Sequence, residues 1–369
     1  MTPSERLDVD VIVPVHDLAR PLSRTVQSVL AGGLGAQRMR VIVVAHNLAA
    51  NEVRAVLASA GLVDSVTVLE LHDGERSPAG PRLLALETAT ARFVSFVDSD
   101  DVLEPGALAA WLALAKRDSL DAVVALERHA RGGLVRNPPV RPWPRRTLDG
   151  VRDRLVYRSA LRGLFSLDVV RAERLAFTRG GTNGSDQPFT LRLWHSGRRI
   201  GLASRLPAYV LGDDAPTRVT QTPQPLAAEL AAPRAMLDEP WFAALPAAAR
   251  TQAATKVVRI HLLPQLAARL DTASATEALT TAREVLERCA AVAPDFRRSL
   301  SRVDARIVTL LESGCALDDV RPLLAVRRGF THPRALLTSQ LLDSLRRDAP
   351  LRLAAAALLL SLRARPRRG

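Results

Sequence analysis

Three carboxylates follow an apolar run in the first half of the chain. The run covers residues 93–97 and is followed by Asp98, Asp100 and Asp101. Such a run is typical of a central strand in a parallel sheet, and open α/β sheets bind their ligands at the C-terminal ends of the strands. A divalent cation held there with substrate phosphates would relieve the repulsion between the carboxylates. The alternative is that Asp100 or Asp101 caps a helix that begins near Pro105.

The elements around this acidic run alternate between strand and helix patterns. Apolar strand patterns occupy residues 8–15, 39–45 and 65–71, and helical spacing occupies residues 22–30, 51–60 and 81–90. Alternation of this kind predicts an α/β fold with a doubly wound, mainly parallel sheet.

This order of motifs resembles the family 2 glycosyltransferases of the GT-A fold over residues 8–215. That family opens with a strand that ends in Pro-Val-Tyr-Asn, and its fourth strand ends in Phe-Leu-Asp-x-Asp-Asp; residues 14–17 and 96–101 are similar to these motifs. Arg82 falls where the family often has Ala-Arg-Asn, although an ordinary solvated arginine is the alternative. The resemblance implies a divalent cation, Mg²⁺ or Mn²⁺, at Asp98 and Asp100. It also implies that the nucleotide-sugar donor is bound by Pro14, Val15, His16, Asp17, Arg82, Asp98 and Ser99.

A second acidic position lies downstream, in residues 184–197. This segment resembles the family's Glu-Asp pair, which precedes Phe, Arg-Leu and Gly, with Ser185 in place of the Glu. The resemblance implies that Asp186 is the general base, which takes the proton of an acceptor hydroxyl while that hydroxyl attacks the anomeric carbon. Such a single displacement inverts the anomeric configuration. The alternative is that Asp186 only caps a helix that begins before Pro188.

The second strand departs from the family pattern. The family ends this strand in Asp-Asp-Gly-Ser, whose first carboxylate contacts the nucleotide base, whereas this chain has Ala45, His46 and Asn47. His16 could stack on the base, and His46 or Asn47 could bond to it. Either histidine could equally be a polar loop residue.

The second half of the chain predicts a helical domain. Residues 1–215 are assigned to the GT-A domain and 216–369 to the helical domain, with a junction rich in Pro, Thr and Gln at 213–233. Apolar residues recur at helical spacing in residues 241–270, 274–292, 295–314 and 333–345. Because this half carries no catalytic motif, we expect a packing role. The sequence leaves open that it orders the acceptor or forms an oligomer.

Cysteine content and charge indicate the cellular compartment and a membrane contact. Cys289 and Cys315 lack metal-ligand spacing, which favours a reducing compartment. The polar first residues do not resemble a signal peptide. We therefore expect a cytoplasmic protein. The last 49 residues carry a net charge of +9 out of +13. Residues 351–362 are apolar but shorter than the roughly 20 residues that span a bilayer. Together these features predict a helix on an anionic membrane surface, or else a packed terminal helix with a basic tail.

The sequence thus favours a metal-dependent, inverting glycosyltransferase that acts on a cell-envelope polysaccharide or glycolipid. A nucleotidyltransferase would need a Gly-rich basic loop after the first strand, and residues 14–24 hold none. A non-catalytic GT-A module that acts as a scaffold or a sugar-nucleotide sensor is the alternative from another class. No recognised nucleic-acid motif accompanies the high charge, so a nucleic-acid partner is not expected.

Overall fold

In the residues that the structure describes, ten strands form two sheets. The computed structural model describes residues 6–135, 141, 146–180, 183–213, 224–314, 316–328 and 332–363. The strands are β1 Val9–Val15, β2 Met39–His46, β3 Val66–Leu71, β4 Phe93–Phe96, β5 Val102–Leu103, β6 Ala122–Val124, β7 Glu127–His129, β8 Gly163–Ser166, β9 Ile200–Leu202 and β10 Tyr209–Leu211.

The main sheet has seven strands in the order β3-β2-β1-β4-β8-β6-β9. β1 runs parallel to β2 on one side and to β4 on the other, with Val11 opposite Val41 and Ser95. Only β8 runs antiparallel to its neighbours, β4 and β6. The α/β fold class with a mainly parallel sheet is therefore confirmed. Because β1 and β4 are adjacent and parallel, the residues after Val15 and after Phe96 meet at one edge of the sheet.

Helices cover both faces of this sheet. All seven residues of β1 are buried, and they alternate between two apolar layers: Val11 and Val13 pack on one face, and Ile12 packs on the other. Trp111 anchors the first layer and Phe189 the second. The helices of this half are α1 Leu22–Leu30, α2 Ala50–Ser59, α3 Ala79–Thr88, α4 Ala107–Asp118, α5 Leu167–Ala172 and α6 Gln187–His195.

A small sheet in the order β5-β10-β7 lies beside the acidic run. Gly212 follows β10, and a Cβ atom at this position would lie 1.9 Å from the carbonyl oxygen of Asp100. Only glycine allows this approach of the two backbones, so the residue type at 212 sets how closely the second sheet packs against the acidic run.

The second half is helical, as expected. A π-helical segment, Val257–Leu262, joins α10 directly to α11. The pattern at residues 241–270 is therefore not one helix: it breaks at Pro246 and changes to π geometry just before Pro264, whose nitrogen cannot donate a helical hydrogen bond. The helices are α7 Leu226–Glu229, α8 Ala231–Asp238, α9 Pro240–Ala243, α10 Ala247–Lys256, α11 Leu263–Ala267, α12 Ala275–Val292, α13 Arg302–Glu312, α14 Leu317–Arg328, α15 Pro333–Leu336 and α16 Pro350–Arg363.

The two halves share a hydrophobic core. Val156 and Tyr157, from a 3₁₀ turn of the first half, and Leu191 of α6 pack in the same apolar cluster as α10, α12 and α13. The proposed junction at 213–233 is helical from Leu226 onward, because α7 and α8 dock onto this core; residues 214–223 lie outside the described part. The helical half is thus packed directly against the end of the GT-A region.

Within the described residues, the helices are all too short or too polar to cross a bilayer. Cys289 is buried in α12, where burial raises the pKa of its thiol to about 12. Cys315 lies outside the described residues.

Candidate active site

A cleft of about 960 Å³ opens where β1, β2 and β4 end. It brings together most of the residues that the sequence predicts for the site: Pro14, Val15, His16, Arg82, Asp98, Ser99, Asp100 and Asp186 line it. Asp17 is not among the lining residues. Its carboxylate accepts a hydrogen bond of 2.9 Å from the backbone nitrogen of Ala19, in the turn before α1.

Asp98 stands at the end of β4 and is held from two sides. Its carboxylate accepts a 2.7 Å hydrogen bond from Arg82, and its backbone nitrogen donates to the hydroxyl of Tyr209 at 3.0 Å. Burial opposes ionisation, but the positive charges of Arg82, Arg162 and Arg20 outweigh it and lower the pKa of Asp98. Asp98 is therefore a carboxylate at neutral pH.

Asp100 and Asp101 are engaged by other parts of the fold. Arg20 donates to Asp100 at 2.7 Å, and both side chains of this ion pair are about nine-tenths buried. Asp101 accepts a 2.8 Å hydrogen bond from the nitrogen of Gly212, and burial with the charge of Asp98 raises the pKa of Asp101 to about 7. The alternative that either residue caps the next helix is wrong, since α4 has Gly106 as its N-cap.

The acidic run offers carboxylate groups, which are suitable ligands for a divalent cation. Asp98 and Asp100 both line the cleft, and hard cations prefer carboxylate oxygens as ligands. The described residues contain no group of three or more His, Cys, Asp or Glu side chains that could hold a metal ion by themselves. The protein would thus supply two carboxylates, each already paired with an arginine, and substrate phosphates would complete the coordination.

Arg82 is not a solvated surface residue. It lies in the first turn of α3, its side chain is only 9% exposed, and its guanidinium lies 5.9 Å from the ring centre of Phe96 and 5.5 Å from that of Phe177. Its Nε is buried and has no hydrogen-bond partner in the described structure. The aromatic rings therefore fix the guanidinium at the floor of the cleft, within reach of an anionic ligand.

Asp186 occupies the N-cap position of α6, but its side chain makes no capping hydrogen bond. Asp186 is one of the residues that line the cleft. Burial raises the pKa of Asp186, while the charges of Arg82 and Lys256 oppose this rise. A carboxylate with an elevated pKa that is not engaged by its own helix suits proton transfer.

The cleft is also lined by His46, whose hydrogen-bonded partner the sequence analysis missed. Nε2 of His46, at the end of β2, lies 2.8 Å from a carboxylate oxygen of Asp73, which follows β3. Asn47 holds the same turn, because its side-chain oxygen accepts hydrogen bonds from the nitrogens of Asp73 and Gly74 at 3.1 and 3.0 Å. His16 lies close by, where burial and the charge of Arg20 lower its pKa.

Other residues of the cleft come from segments without a recognised motif. Arg162 donates to Glu127 at 2.5 Å, lies 3.8 Å from Asp101 and stacks over the ring of Tyr209 at 4.9 Å. In the sequence, Arg162 is marked only by its position directly before β8. His261 of the π-helical segment also lines the cleft. The helical half therefore contributes a residue to the wall of the cleft as well as packing against the first half.

Comparison with known proteins agrees with this geometry. The family model described as Glycosyl transferase family 2 matches residues 10–165. A poly(ribitol-phosphate) beta-glucosyltransferase of Bacillus spizizenii is 20% identical over 206 residues, which is 56% of this chain and 32% of the relative. The chain thus spans about a third of the length of that relative.

Solved structures of TarS from S. aureus share the fold. TarS 1–349 in complex with UDP-GlcNAc has a TM-score of 0.73 at 16% identity, and the match covers 88% of this chain and 92% of TarS 1–349. The complex with UDP has a TM-score of 0.66, also at 16% identity, over 88% and 93% of the two chains. At this identity the similarity establishes the fold, and it extends through the helical half.

Proposed function

Because residues 10–165 belong to glycosyl transferase family 2, we propose that this chain is a glycosyltransferase that moves a sugar from a nucleotide-sugar donor to a cell-envelope polysaccharide or glycolipid. The observation that carries the proposal is one cleft with two separate acidic positions, Asp98 with Asp100 and Asp186. Since TarS was solved with UDP-GlcNAc and UDP, and the Bacillus relative is named for poly(ribitol phosphate), UDP-sugars and that polymer are the first substrates to test.

The nucleobase end of the donor site is proposed to lie at His46. The Asp73 carboxylate can only accept a hydrogen bond, so Nε2 of His46 carries a proton, and in the tautomer with that single ring proton Nδ1 is an acceptor. An acceptor here takes the place of the missing family carboxylate. It matches the ring N–H of uracil or guanine, whereas cytosine and adenine present an acceptor at that position.

The diphosphate is proposed to bind between the arginines and the acidic run. Arg82 faces the cleft with a buried, unpartnered Nε, and Pro14, Val15, His16 and Ser99 would contact the nucleoside. Asp17 would act indirectly, by shaping the turn after β1. A divalent cation coordinated by Asp98 and Asp100 would neutralise charge on the departing diphosphate.

Asp186 is proposed to act on the acceptor. Its carboxylate takes the proton of the acceptor hydroxyl, whose oxygen forms the new bond to the anomeric carbon. The bond from that carbon to the diphosphate oxygen breaks, and its electron pair leaves with the diphosphate. Because bond making and bond breaking occur on opposite faces of the sugar, the configuration is inverted.

The C-terminal segment supports a peripheral contact of a cytoplasmic enzyme with an anionic membrane. Apart from Ile260, the large hydrophobic side chains that are exposed in the described structure all belong to one stretch of the chain. We call this set the C-terminal leucine surface: Leu341, Leu342, Leu345, Leu351, Leu358 and Leu359. Arg346, Arg347 and Arg352 lie within the same stretch and complement anionic headgroups, whereas Arg365, Arg367 and Arg368 are outside the described residues. An oligomer contact through the same leucines is the competing outcome.

Thermal unfolding with a panel of nucleotide sugars tests the function. A donor present at 100 times its dissociation constant stabilises the folded state by about 2.7 kcal/mol. We expect UDP-glucose or UDP-GlcNAc with Mn²⁺ to raise the melting temperature, and to be turned over when poly(ribitol phosphate) is present. Stabilisation without turnover of the donor by any acceptor, or by water, would support the sensor alternative. No stabilisation by any nucleotide sugar would overturn the proposal.

A further inference from the structure

A second cavity, of about 390 Å³, lies in the helical half between α16 and the side chains of Arg259, Asp304 and Arg327. We call it the α16 cavity. It shares no lining residue with the cleft, so it is a separate feature of the molecule. Its volume is at the lower end of the roughly 300–1,000 Å³ of small-molecule sites.

One wall of the α16 cavity carries two arginines that share one carboxylate. Nε of Arg327 donates to Asp304 at 2.8 Å, whereas Nε of Arg259 lies 3.8 Å from the other oxygen of Asp304. This second distance is too long for a hydrogen bond, and Nε of Arg259 is buried without a partner in the described structure. Asp304 is the only acid among the described residues that line the cavity. This wall therefore has a net positive charge.

The same wall has hydrogen-bond donors to spare. Nη1 of Arg259 and Nη2 of Arg327 donate to the backbone oxygens of Asp348, at 2.9 Å, and of Arg259. Nη1 of Arg327 makes no hydrogen bond to a described residue. Ser301 caps α13 by accepting from the nitrogen of Asp304 at 3.0 Å, and the proton of its hydroxyl has no acceptor in this part of the chain. An anion with several acceptor oxygens, such as a phosphate, matches these donors.

The opposite wall is apolar and comes from α16. Pro350, Leu353, Ala354 and Ala357 line the cavity, and their spacing of three and four residues places them on one face of the helix. Three of the four side chains are small, which leaves a gap between α16 and the arginines. A free phosphate would satisfy the charged wall but would leave this apolar wall without a contact. A ligand that fills the cavity therefore combines an anionic group with an apolar chain.

Another face of α16 belongs to the C-terminal leucine surface. Leu351, Leu358 and Leu359 are exposed on this helix and do not line the cavity. One helix thus borders both the cavity and the surface that is proposed to meet a membrane. An amphiphile with its head group in the cavity could extend the rest of its chains toward the same membrane.

We propose that the α16 cavity binds the phosphate group and the adjoining chain segment of one anionic lipid. Arg327 and Ser301 donate to the phosphate oxygens, Arg259 adds positive charge, and the inner face of α16 contacts the chain. The site rests on the proposed membrane contact for its supply of lipid, and it turns a general attraction to anionic headgroups into the recognition of a single lipid molecule. Asp186 and the cleft take no part in it.

Calorimetry with a soluble lipid tests the site without a bilayer. The probe is dihexanoyl phosphatidylglycerol below its critical micelle concentration, added to the full-length chain. We expect one molecule to bind per chain. Dihexanoyl phosphatidylcholine has the same chains but no net charge, and glycerol 3-phosphate has the head group without the chains. Each should bind about tenfold more weakly or worse, because each lacks one of the two interactions.

Two variants address the two walls separately. Ala357→Leu fills the cavity and leaves every charge in place, and Arg327→Gln removes a charged donor; each should weaken binding of the probe about tenfold. Ala355→Leu and Arg352→Gln are the matched controls, since both residues are exposed on α16 and lie outside the cavity. Both controls should bind the probe like the wild type. If Arg327→Gln fails to fold, Ala357→Leu decides the question.

The outcomes distinguish the lipid site from the membrane contact. No binding of the probe, or wild-type binding by Ala357→Leu, would overturn the lipid site even if anionic vesicles still bind the protein. Equal binding of glycerol 3-phosphate would assign the cavity to a free phosphate ester and would also overturn it. Binding of the probe that Ala357→Leu abolishes, by a protein that does not bind anionic vesicles, would support the site and refute only the membrane contact.

Discussion

The C-terminal leucine surface gives a prediction whose size follows from the structure. Leu341, Leu342 and Leu345 are 63%, 84% and 65% exposed, so their combined exposed surface is about that of two fully exposed leucines. Complete burial of a leucine is worth about 1.5–3 kcal/mol. If all three enter the lipid headgroup region, replacing them by serine should cost about 3–6 kcal/mol, or roughly 10²- to 10⁴-fold in vesicle affinity.

Point substitutions are preferable to a truncation that starts at residue 346. Asp348 is buried and accepts hydrogen bonds from Gln252, and Ala349 is fully buried, so removing them would disturb the helical core. The triple serine variant leaves both residues in place. Arg352→Gln should weaken binding by about 1 kcal/mol and should reduce its dependence on salt.

Co-sedimentation with anionic vesicles at low and at physiological salt measures these effects, with neutral vesicles as the control. We expect the wild type to bind anionic vesicles and the triple variant to remain in the supernatant. Equal binding of both proteins would refute the reasoning. A dimer in sedimentation that the triple variant abolishes, without any vesicle binding, would assign the surface to a second copy of the chain.

Two further predictions concern the donor site. Asp100→Asn should lose most of the Mn²⁺-dependent part of UDP binding in calorimetry, because an amide is a weaker ligand for a hard cation. The control Asp168→Asn changes an exposed carboxylate outside the cleft and should behave as the wild type. Equal metal dependence in Asp100→Asn would remove Asp100 from the cation site. His46→Ala should weaken UDP binding by about 1–3 kcal/mol, or roughly 5- to 150-fold, since the uracil N–H would lose its acceptor, and CDP should bind weakly to both proteins. Wild-type preference for UDP over CDP in His46→Ala would contradict the assignment.

Local sequence patterns predicted most of the first half. The apolar runs that became β1, β2 and β4 are buried on both faces, which is why they read as continuous apolar strands. Their C-terminal ends carry the acidic run and the family motifs, so Asp98 and Asp100 fell into one cleft as expected. The motif around Asp186 also led to the same cleft, since it directly precedes α6.

The remaining residues of the site depend on tertiary packing. His46 and Asp73 are 27 residues apart and meet only because β2 and β3 are neighbours in the sheet. His261 reaches Gln187 because the π-helical segment docks against the first half, and the helical spacing of that segment predicts no such contact. The cap predicted at Asp100 also failed because of tertiary packing. The Asp100 carboxylate is bound by Arg20, which lies 80 residues earlier in the chain.

The central claim is that Asp186 is the general base. It is tested most directly by measuring both the turnover and the UDP affinity of Asp186→Asn. The account predicts that turnover of a UDP-sugar falls roughly 10²- to 10⁴-fold, the usual contribution of a positioned proton acceptor, while calorimetry finds UDP binding unchanged. The melting temperature should also stay near that of the wild type, because the side chain makes no capping bond. A variant that is as active as the wild type, or one that loses activity only because it unfolds, would contradict the account.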